Sequence, residues 1–453
     1  MKQTWSPNSW LSCPIEQPID YPDAAALSDA LRELASLPPL VTSWEVERLK
    51  TQLADAQQGE AFVLQGGDCS ETFADCTSDS ITNKLKILLK MSLVLVYGTR
   101  LRVVRVGRFA GQYAKPRSQL METRGGESLP SYRGPLINRR PFTVKDRTPD
   151  PRLLLTAFER SAMTLNFIRG LVDGGFADLH HPEFWDLGFL EQSAQVEEYR
   201  QITDTIVESV RFFEKITGQR FSELARVDFF TSHEGLCLPY EQAQTRKVPR
   251  REGWYNLATH FPWIGDRTRR LDGAHIEYFR GIENPVGVKV GPSMTGEELR
   301  DLASVLNPAN APGKLTLIHR FGAGRISDCL PGLIDTVQRY GLSVVWICDP
   351  MHGNTINLDS GVKTRNFDDI IEELSLAFDI HSGQKSRLCG VHFELTGENV
   401  TECIGGARGL AEEDLSRDYR SDVDPRLNYE QALEMALFIA QRMRKNGNKV
   451  GRI

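Results

Sequence analysis

The sequence predicts an α/β fold, a (β/α)8 TIM barrel with an N-terminal extension and extra helices inserted after the second strand. Three observations support this prediction. Eight short apolar runs recur along the chain, segments with helical periodicity separate them, and each run ends in a residue suited to chemistry. Strands separated by helices pair in parallel, and eight parallel strands close into a barrel with its reactive residues at their carboxyl ends.

The predicted strands share a β-branched and aromatic composition that is typical of buried strands. In chain order they are Phe62–Gln65, Leu101–Val106, Asp228–Ser232, His260–Gly265, Pro285–Val288, Leu315–His319, Ser343–Ile347 and Gly390–Phe393. The residues that end or closely follow them carry ionisable groups: Cys69, Arg108, His233 with Glu234, Asp266 with Arg267, Lys289, Arg320, Asp349 with His352, and Glu394. We therefore expect these side chains to meet at one mouth of the barrel.

Helical segments fill the intervals between the strands. They are predicted at Ala24–Ser36, Arg152–Leu171, Ser193–Thr217, Thr295–Val305 (opened by a capping box with Glu298), Asp328–Tyr340, Asn366–His381 and Tyr429–Lys445. Residues 149–219 hold two such segments where a simple barrel needs one. The surplus is either plain packing or an interface, lid or regulatory element. We divide the chain into an extension, residues 1–50, and a catalytic barrel, residues 51–453.

Length and composition exclude several classes of protein. The 453 residues exceed the roughly 250 of a minimal barrel, which leaves room for the extension and the insertion. A net charge of −6 argues against a nucleic-acid partner, and no apolar run is long enough to cross a membrane. The first residues resemble neither a signal nor a transit peptide, and the eight cysteines form no disulfide framework. We expect a reducing, cytoplasmic location.

A metal site is the first chemical hypothesis. Cys69, His352 and Glu394 come at strand ends, and Asp424 lies in the loop before the last helix. A thiolate, an imidazole and two carboxylates accept Mn²⁺, Fe²⁺, Co²⁺ or Zn²⁺ and leave positions for a substrate oxygen. The alternative for Cys69 is a small buried apolar residue, which is the more frequent role of a lone cysteine after a strand.

Basic residues are the second group at the predicted mouth. They are Arg108, Lys115, Arg117, Arg267, Lys289, Arg320, Lys363 and Arg365, with Ser118 beside Arg117. Arginine suits bidentate binding of oxyanions, and lysine suits point-charge contact. Like charges this close repel one another unless anions fill the site, so we expect a pair of phosphorylated substrates. Glu234 either orients a cation or a water molecule, or is a salt-bridge partner.

Long motifs in the same order resemble the type II (plant-type) 3-deoxy-D-arabino-heptulosonate 7-phosphate (DAHP) synthases over nearly the whole chain. The most specific are Leu64-Gln-Gly-Gly-Asp-Cys69, Ala110-Gly-Gln-Tyr-Ala-Lys-Pro-Arg-Ser118, Leu129-Pro-Ser-Tyr-Arg-Gly134, Thr231-Ser-His-Glu234, Asp349-Pro-Met-His-Gly-Asn-Thr355 and Thr396-Gly-Glu-Asn-Val-Thr-Glu-Cys403. The resemblance implies the opening step of the shikimate pathway to aromatic amino acids. In that step phosphoenolpyruvate, erythrose 4-phosphate and water give DAHP and phosphate.

The resemblance also implies which candidate residues bind the metal and the substrates. The metal ligands are Cys69, His352, Glu394 and Asp424, with Mn²⁺ as the first choice and Co²⁺, Fe²⁺ or Zn²⁺ as alternatives. Phosphoenolpyruvate is assigned to Arg108, Asp266 (where the family usually has Glu), Arg267, Lys289 and Arg320. Erythrose 4-phosphate is assigned to Lys115, Arg117, Ser118 and Lys363. The catalytic roles are our own hypotheses and not part of the resemblance. Arg108 offsets negative charge, Lys289 is a proton donor because neighbouring cations lower the pKa of a lysine, and Glu234 is the base for water.

Partners and competing functions follow from the same resemblance. We expect a homo-oligomer, a dimer or tetramer, with aromatic amino acids as effectors and chorismate mutase as a possible partner. One alternative is a paralogue in secondary metabolism, of the phenazine type or acting on an amino-sugar phosphate. The other is a non-catalytic regulatory homologue, which predicts lost ligands, whereas every ligand position is intact.

Overall fold

The computed structural model describes residues 4–176, 178, 196–217 and 227–450, and its centre is a closed barrel of eight parallel strands. The strands are β1 (Ala61–Gly67), β2 (Arg102–Arg108), β3 (Phe230–Glu234), β4 (Phe261–Ile264), β5 (Val286–Val290), β6 (Leu315–His319), β7 (Val345–Cys348) and β8 (Gly390–Glu394). Each pairs with its neighbours in chain order, and β1 pairs with β8 to close the ring. The predicted fold class and all eight predicted strands are confirmed.

Apolar side chains fill the inside of the barrel. Val63, Val104, Phe261, Ile318 and Ile347 belong to one buried cluster there. The outward-facing side chains of the strands pack against the helices in a second, larger cluster. Because both faces are covered, the strands read as nearly continuous apolar runs, and this is why the sequence revealed them.

Twelve α-helices lie within the described residues. They are α1 (Ala24–Ser36), α2 (Ser43–Gln58), α3 (Ser78–Thr99), α4 (Val144–Arg147), α5 (Arg152–Asp173), α6 (Val196–Thr217), α7 (Leu238–Ala243), α8 (Ala274–Phe279), α9 (Gly296–Leu306), α10 (Ile326–Arg339), α11 (Phe367–Gly383) and α12 (Tyr429–Val450). The seven predicted helices correspond to α1, α5, α6, α9, α10, α11 and α12. Five helices were not predicted from the sequence: α2, α3 and the short helices α4, α7 and α8. Residue 50, the expected boundary of the extension, lies inside α2.

Side chains at the helix starts explain several of these boundaries. Thr42 and Glu45 form a reciprocal capping box at the start of α2. At α9 only half of the predicted box forms: Thr295 accepts a hydrogen bond from the backbone N–H of Glu298, at 3.2 Å. The Glu298 carboxylate accepts a hydrogen bond from Arg269 instead.

The interval between β2 and β3 is longer than a single crossover helix needs. It contains a two-stranded hairpin (Met121–Arg124 with Glu127–Pro130) and helices α4, α5 and α6. Residues 177, 179–195 and 218–219 of the predicted insertion lie outside the described residues. Among the described residues, no helix has the length and apolarity that a bilayer span requires.

An N-terminal arm, residues 4–17, crosses the outside of the barrel. The Trp5 indole N–H donates to the backbone carbonyl of Glu277 at 2.9 Å, and the Trp10 indole N–H donates to the side chain of Gln242 at 2.9 Å. The carbonyl of Pro14 accepts a hydrogen bond from the Ala274 N–H at 2.8 Å. The arm is therefore held by specific contacts at several points.

Close packing of α3 against α12 gives a test of the fold. A Cβ atom added at Gly98 would lie 2.2 Å from the Cβ of Ala440, so Gly98→Ala must push the two helices apart. We expect this variant to lose about 1–3 kcal/mol of stability, measured as a lower thermal unfolding midpoint. Gly332→Ala in α10 is the matched control, since nothing lies within 4 Å of its added Cβ. An equal effect of both substitutions would contradict this packing argument.

Candidate active site

The four predicted metal ligands lie together at the carboxyl end of the barrel. Ligand atoms of Cys69, Glu394 and Asp424 all fall within 4.8 Å of one another. The Cys69 thiol lies 3.5 Å from the Asp424 carboxylate, and Nε2 of His352 lies 3.1 Å from Oε1 of Glu394. Cys69 and Glu394 are fully buried, whereas His352 and Asp424 are partly open to the mouth. Two carboxylates, a thiol and an imidazole converging in this way suit a divalent metal ion.

Strand register explains why Glu394 meets a cation. Gly67, the last residue of β1, pairs with Arg108 on one side and with Glu394 on the other. A Cβ at Gly67 would come within 2.8 Å of the Arg108 carbonyl oxygen, so a residue without a side chain is needed between them. The Arg108 guanidinium then lies 3.0 Å from the Glu394 carboxylate.

Two further cations contact the same carboxylate. Lys115 approaches Glu394 at 3.1 Å, and Arg365, which is fully buried, approaches it at 2.7 Å. These charges and His352 outweigh the effect of burial and hold the pKa of Glu394 well below its ordinary value. By contrast, burial and the neighbouring Glu394 raise the pKa of the Cys69 thiol well above its ordinary value. The binding of a metal at Cys69 must therefore displace a proton.

Asp349 orients the imidazole of His352. Its carboxylate lies 2.7 Å from Nδ1 of His352 and accepts hydrogen bonds from the backbone N–H groups of Met351 and His352 at 3.0 and 3.2 Å. The same carboxylate pairs with the Lys289 ammonium. With Nδ1 engaged, Nε2 of His352 faces Glu394, which is the arrangement of a metal-binding histidine held by a carboxylate.

A small cavity of about 80 Å³ extends from this cluster across the centre of the mouth. The five residues assigned to phosphoenolpyruvate all line it: Arg108, Asp266, Arg267, Lys289 and Arg320. The Asp266 carboxylate is engaged by neighbouring arginines, since it accepts hydrogen bonds from Arg269 at 3.0 Å and from Arg320 at 3.3 Å. Trp263 forms one wall, with the Arg108 guanidinium 5.3 Å from its ring centre.

A wider cleft of about 770 Å³ opens beside the small cavity, and it is lined by two of the residues assigned to erythrose 4-phosphate, Arg117 and Lys363. Lys363 lies 3.2 Å from Asp424, one of the four clustered donors. Ser118 accepts a hydrogen bond from Arg267 at 3.0 Å and so links the segment at Arg117 to the small cavity. The two groups of predicted substrate residues are therefore adjacent.

Two buried groups of the small cavity have shifted pKa values. Burial, against the opposing effect of Asp349 and with a smaller contribution from Arg108, lowers the pKa of Lys289 to about 8. We expected neighbouring cations to be the main cause, but burial is the larger one. Burial also raises the pKa of Glu234, whose Oε1 is buried without a hydrogen-bond partner.

Several groups that shape this site had no role predicted from the sequence. Asp349 was noted only as a strand end, although its spacing of three residues from His352 could have identified it as the orienting carboxylate. Arg365 was counted among the cations around the mouth, but it is fully buried beneath Glu394. His392 lies inside β8 with Nε2 at 2.6 Å from Arg108. No local pattern reveals that contact.

The N-terminal arm also reaches the site. The side-chain amide of Gln17 donates to the backbone carbonyl of Arg117 at 3.0 Å, and its oxygen accepts the Arg117 N–H at 2.9 Å. Arg133 in turn donates to the Gln17 carbonyl at 2.8 Å. The side-chain amide of Gln17 thus forms a pair of hydrogen bonds with the Arg117 backbone, as the backbone of a neighbouring β-strand would.

Residues 5–440 match the class-II DAHP synthetase family. The chain belongs to that family. It is an enzyme of the DAHP synthase type, as the sequence motifs predicted.

A protein of Neurospora crassa named phospho-2-dehydro-3-deoxyheptonate aldolase is 49% identical over 97% of this chain and 95% of its own length. A protein of the same name from Streptomyces coelicolor is 44% identical over 96% and 97%, respectively. A relative from Mycolicibacterium smegmatis, named phospho-2-dehydro-3-deoxyheptonate aldolase AroG, is 41% identical over 95% and 92%.

The contact between Gln17 and Arg117 gives a local test. Gln17→Ala removes both hydrogen bonds to the Arg117 backbone, so we expect faster amide hydrogen exchange in residues 111–120, followed by mass spectrometry. Gln242→Ala is the matched control, because it removes the contact of the arm at Trp10 and leaves Arg117 untouched. Equal exchange in the wild type and Gln17→Ala would show that the arm does not hold this segment.

Proposed function

We propose that this enzyme condenses phosphoenolpyruvate with erythrose 4-phosphate. C3 of phosphoenolpyruvate forms a bond with the aldehyde carbon, water adds its oxygen at C2, and the C–O bond to the phosphate breaks, giving DAHP and inorganic phosphate. The observation that carries the proposal is the mixed donor set Cys69, Glu394 and Asp424 directly beside the cationic cavity. The names of the relatives support the same reaction.

The chemistry of the donors fits a divalent metal ion, with Mn²⁺ as our first choice. Cys69, His352, Glu394 and Asp424 would hold it. When bound, such an ion acts as a Lewis acid toward an aldehyde oxygen and stabilises negative charge that develops there.

The cations of the small cavity are proposed to hold phosphoenolpyruvate. Arg108, Lys289 and Arg320 supply two guanidinium groups and an ammonium group, which match a phosphate and a carboxylate. Their charge also offsets the repulsion between the two phosphorylated substrates when these are brought together. Asp266 keeps Arg320 in place, and Arg267 stands at the edge of the cavity next to Ser118.

Erythrose 4-phosphate is proposed to bind between the cluster of donors and the wider cleft. Arg117, Ser118 and Lys363 would hold its phosphate and hydroxyl groups. Lys115 contacts Glu394 at 3.1 Å and Asp424 at 3.6 Å, so it lies where the aldehyde end would approach the donors.

Lys289 and Glu234 are the proposed proton-transfer groups. A lysine with a pKa of about 8 can give up a proton near neutral pH, which suits a general acid. Glu234 has a raised pKa and an unpartnered oxygen and lines the same cavity, which suits a base for the attacking water.

Assembly and regulation are proposed from the same resemblance. We propose a cytoplasmic homo-oligomer, a dimer or tetramer, whose extension and inserted helices form interfaces and respond to aromatic amino acids, with chorismate mutase as a further partner. The large apolar side chains of Met163 in α5 and of Phe212 and Ile216 in α6 are more than half exposed, which supports an interface there. The same proposal includes the division of the chain into an extension, residues 1–50, and a catalytic barrel, residues 51–453.

Metal removal tests the reaction and the donor set together. We expect protein treated with a chelator to have no turnover with the two substrates, and added Mn²⁺ to restore it, followed by phosphate release and loss of the enol phosphate. Cys69→Ser should need more Mn²⁺ for half-maximal activity than the wild type. Cys389→Ser, which changes a buried cysteine next to β8 at the opposite end of the barrel, should not.

The other outcomes of this assay decide between the alternatives. Turnover only with an amino-sugar phosphate acceptor would favour the paralogue of secondary metabolism. Folded protein without turnover on either acceptor, with or without Mn²⁺, would contradict the proposed function.

The pH dependence tests Lys289. Because its pKa is about 8, the ammonium loses its proton as the pH rises through that value. We expect kcat/KM for phosphoenolpyruvate to fall above pH 8, and Lys289→Arg to move this fall to higher pH, even if its maximal rate is lower. Lys314→Arg, one residue before β6 and at the end of the barrel away from the mouth, is the control. An unmoved profile in Lys289→Arg would exclude Lys289 as the titrating group.

A further inference from the structure

A second group of metal-binding side chains lies behind the barrel wall, outside the candidate active site. It consists of His319 at the end of β6, Cys348 at the end of β7 and Glu373 in α11, and ligand atoms of all three fall within 4.8 Å of one another. Each of the three is completely buried. A His/Cys/Glu set of this kind is typical of zinc and related divalent ions.

His319 is the observation that points to a ligand. Both of its ring nitrogens are buried without a hydrogen-bond partner. The ring is enclosed by aromatic side chains, with the centre of Phe321 at 5.7 Å and that of Trp346 at 6.2 Å. A buried polar group without a partner costs free energy, so native proteins nearly always give it one. A bound ion would supply that partner.

We propose that His319, Cys348 and Glu373 form a buried structural site for a divalent metal ion of the zinc type. Zinc bound through nitrogen, sulfur and oxygen at its usual bond lengths has ligand atoms about 3.3–3.8 Å apart. The ligand atoms, which lie within 4.8 Å of one another, reach these distances if they shift by about 1 Å. His381, whose Nε2 is also buried without a partner and whose ring centre lies 5.8 Å from that of His319, is the candidate fourth ligand.

Charge balance favours the same conclusion. A divalent ion with one thiolate, one carboxylate and neutral imidazoles has no net charge, which is the condition for burying it in an apolar interior. Thiol and carboxyl each give up one proton when the ion binds.

The proposed ion would stiffen the mouth of the barrel. The Glu373 carboxylate accepts hydrogen bonds from the backbone N–H of Phe321 at 2.8 Å and from the side chain of Asn354 at 2.8 Å. Phe321 directly follows Arg320, and Asn354 lies two residues after His352. An ion bound to Glu373 would therefore restrain the two loops that carry Arg320 and His352, from the side away from the mouth.

Co²⁺ is the probe for this site, because a cobalt–thiolate bond gives a near-ultraviolet charge-transfer absorption that oxygen and nitrogen ligands do not give. The protein should be produced in medium containing Co²⁺, since a fully buried site is filled during folding. Cys69→Ser serves as the background, because it removes the thiol of the mouth. We expect this variant to keep the absorption and to retain one Co²⁺ per chain after exposure to a chelator.

Two double variants assign the signal. Cys69→Ser with Cys348→Ser should lose the absorption, whereas Cys69→Ser with Cys389→Ser, another buried cysteine, should keep it. Absence of the absorption in Cys69→Ser alone would overturn the proposal, and that result does not depend on whether the Cys348 variant folds. Persistence of the absorption after loss of Cys348 would also overturn it.

Discussion

The buried carboxylate of Glu394 is the constraint on which the site depends. It stands at the end of β8, where it contacts a cation from β2, one from the loop after β2 and one from the segment before α11, together with the imidazole in the turn at His352. Removing one partner from a buried ion pair typically costs about 3–5 kcal/mol, so these elements can hardly move independently. The carboxylate that we propose as a metal ligand is also the point at which four parts of the chain are joined.

The carboxylates of the protein also change the electrostatic argument made from the sequence. Eight basic residues at one mouth suggested that only anionic substrates could relieve their repulsion. In the structure Glu394, Asp349, Asp266 and Asp424 already pair with six of them, namely Arg108, Lys115, Arg365, Lys289, Arg320 and Lys363. The remaining two, Arg117 and Arg267, lie at the outer side. The mouth is therefore a network of paired charges, and in the proposed function a substrate phosphate must insert into it.

Whether a feature could be predicted from the sequence depended on how far apart along the chain the interacting residues lie. Buried strands such as Leu315–His319 and helices such as Asn366–His381 show in the periodicity of apolar residues, and strand ends share a mouth because of parallel pairing. The motifs identified the family for the same reason, since they are continuous. Contacts between distant segments leave no such pattern. The burial of Arg365 beneath Glu394, the pairing of Gln17 with Arg117 and the approach of His319 to Glu373 required the fold itself.

The contacts of the arm and the closure of the barrel have a consequence for synthesis on the ribosome. Trp5 binds the backbone 272 residues further along the chain, and β1 finds its second neighbour only when β8 has been made. At 5–20 residues per second, residue 394 follows residue 1 after roughly 20–80 s. Trp5 has no partner until residue 277 has been made, and β1 keeps an open edge until β8 has been made. A nascent chain of this protein therefore exposes an unpaired edge of β1 until β8 has been made, and an edge of that kind can pair with other chains.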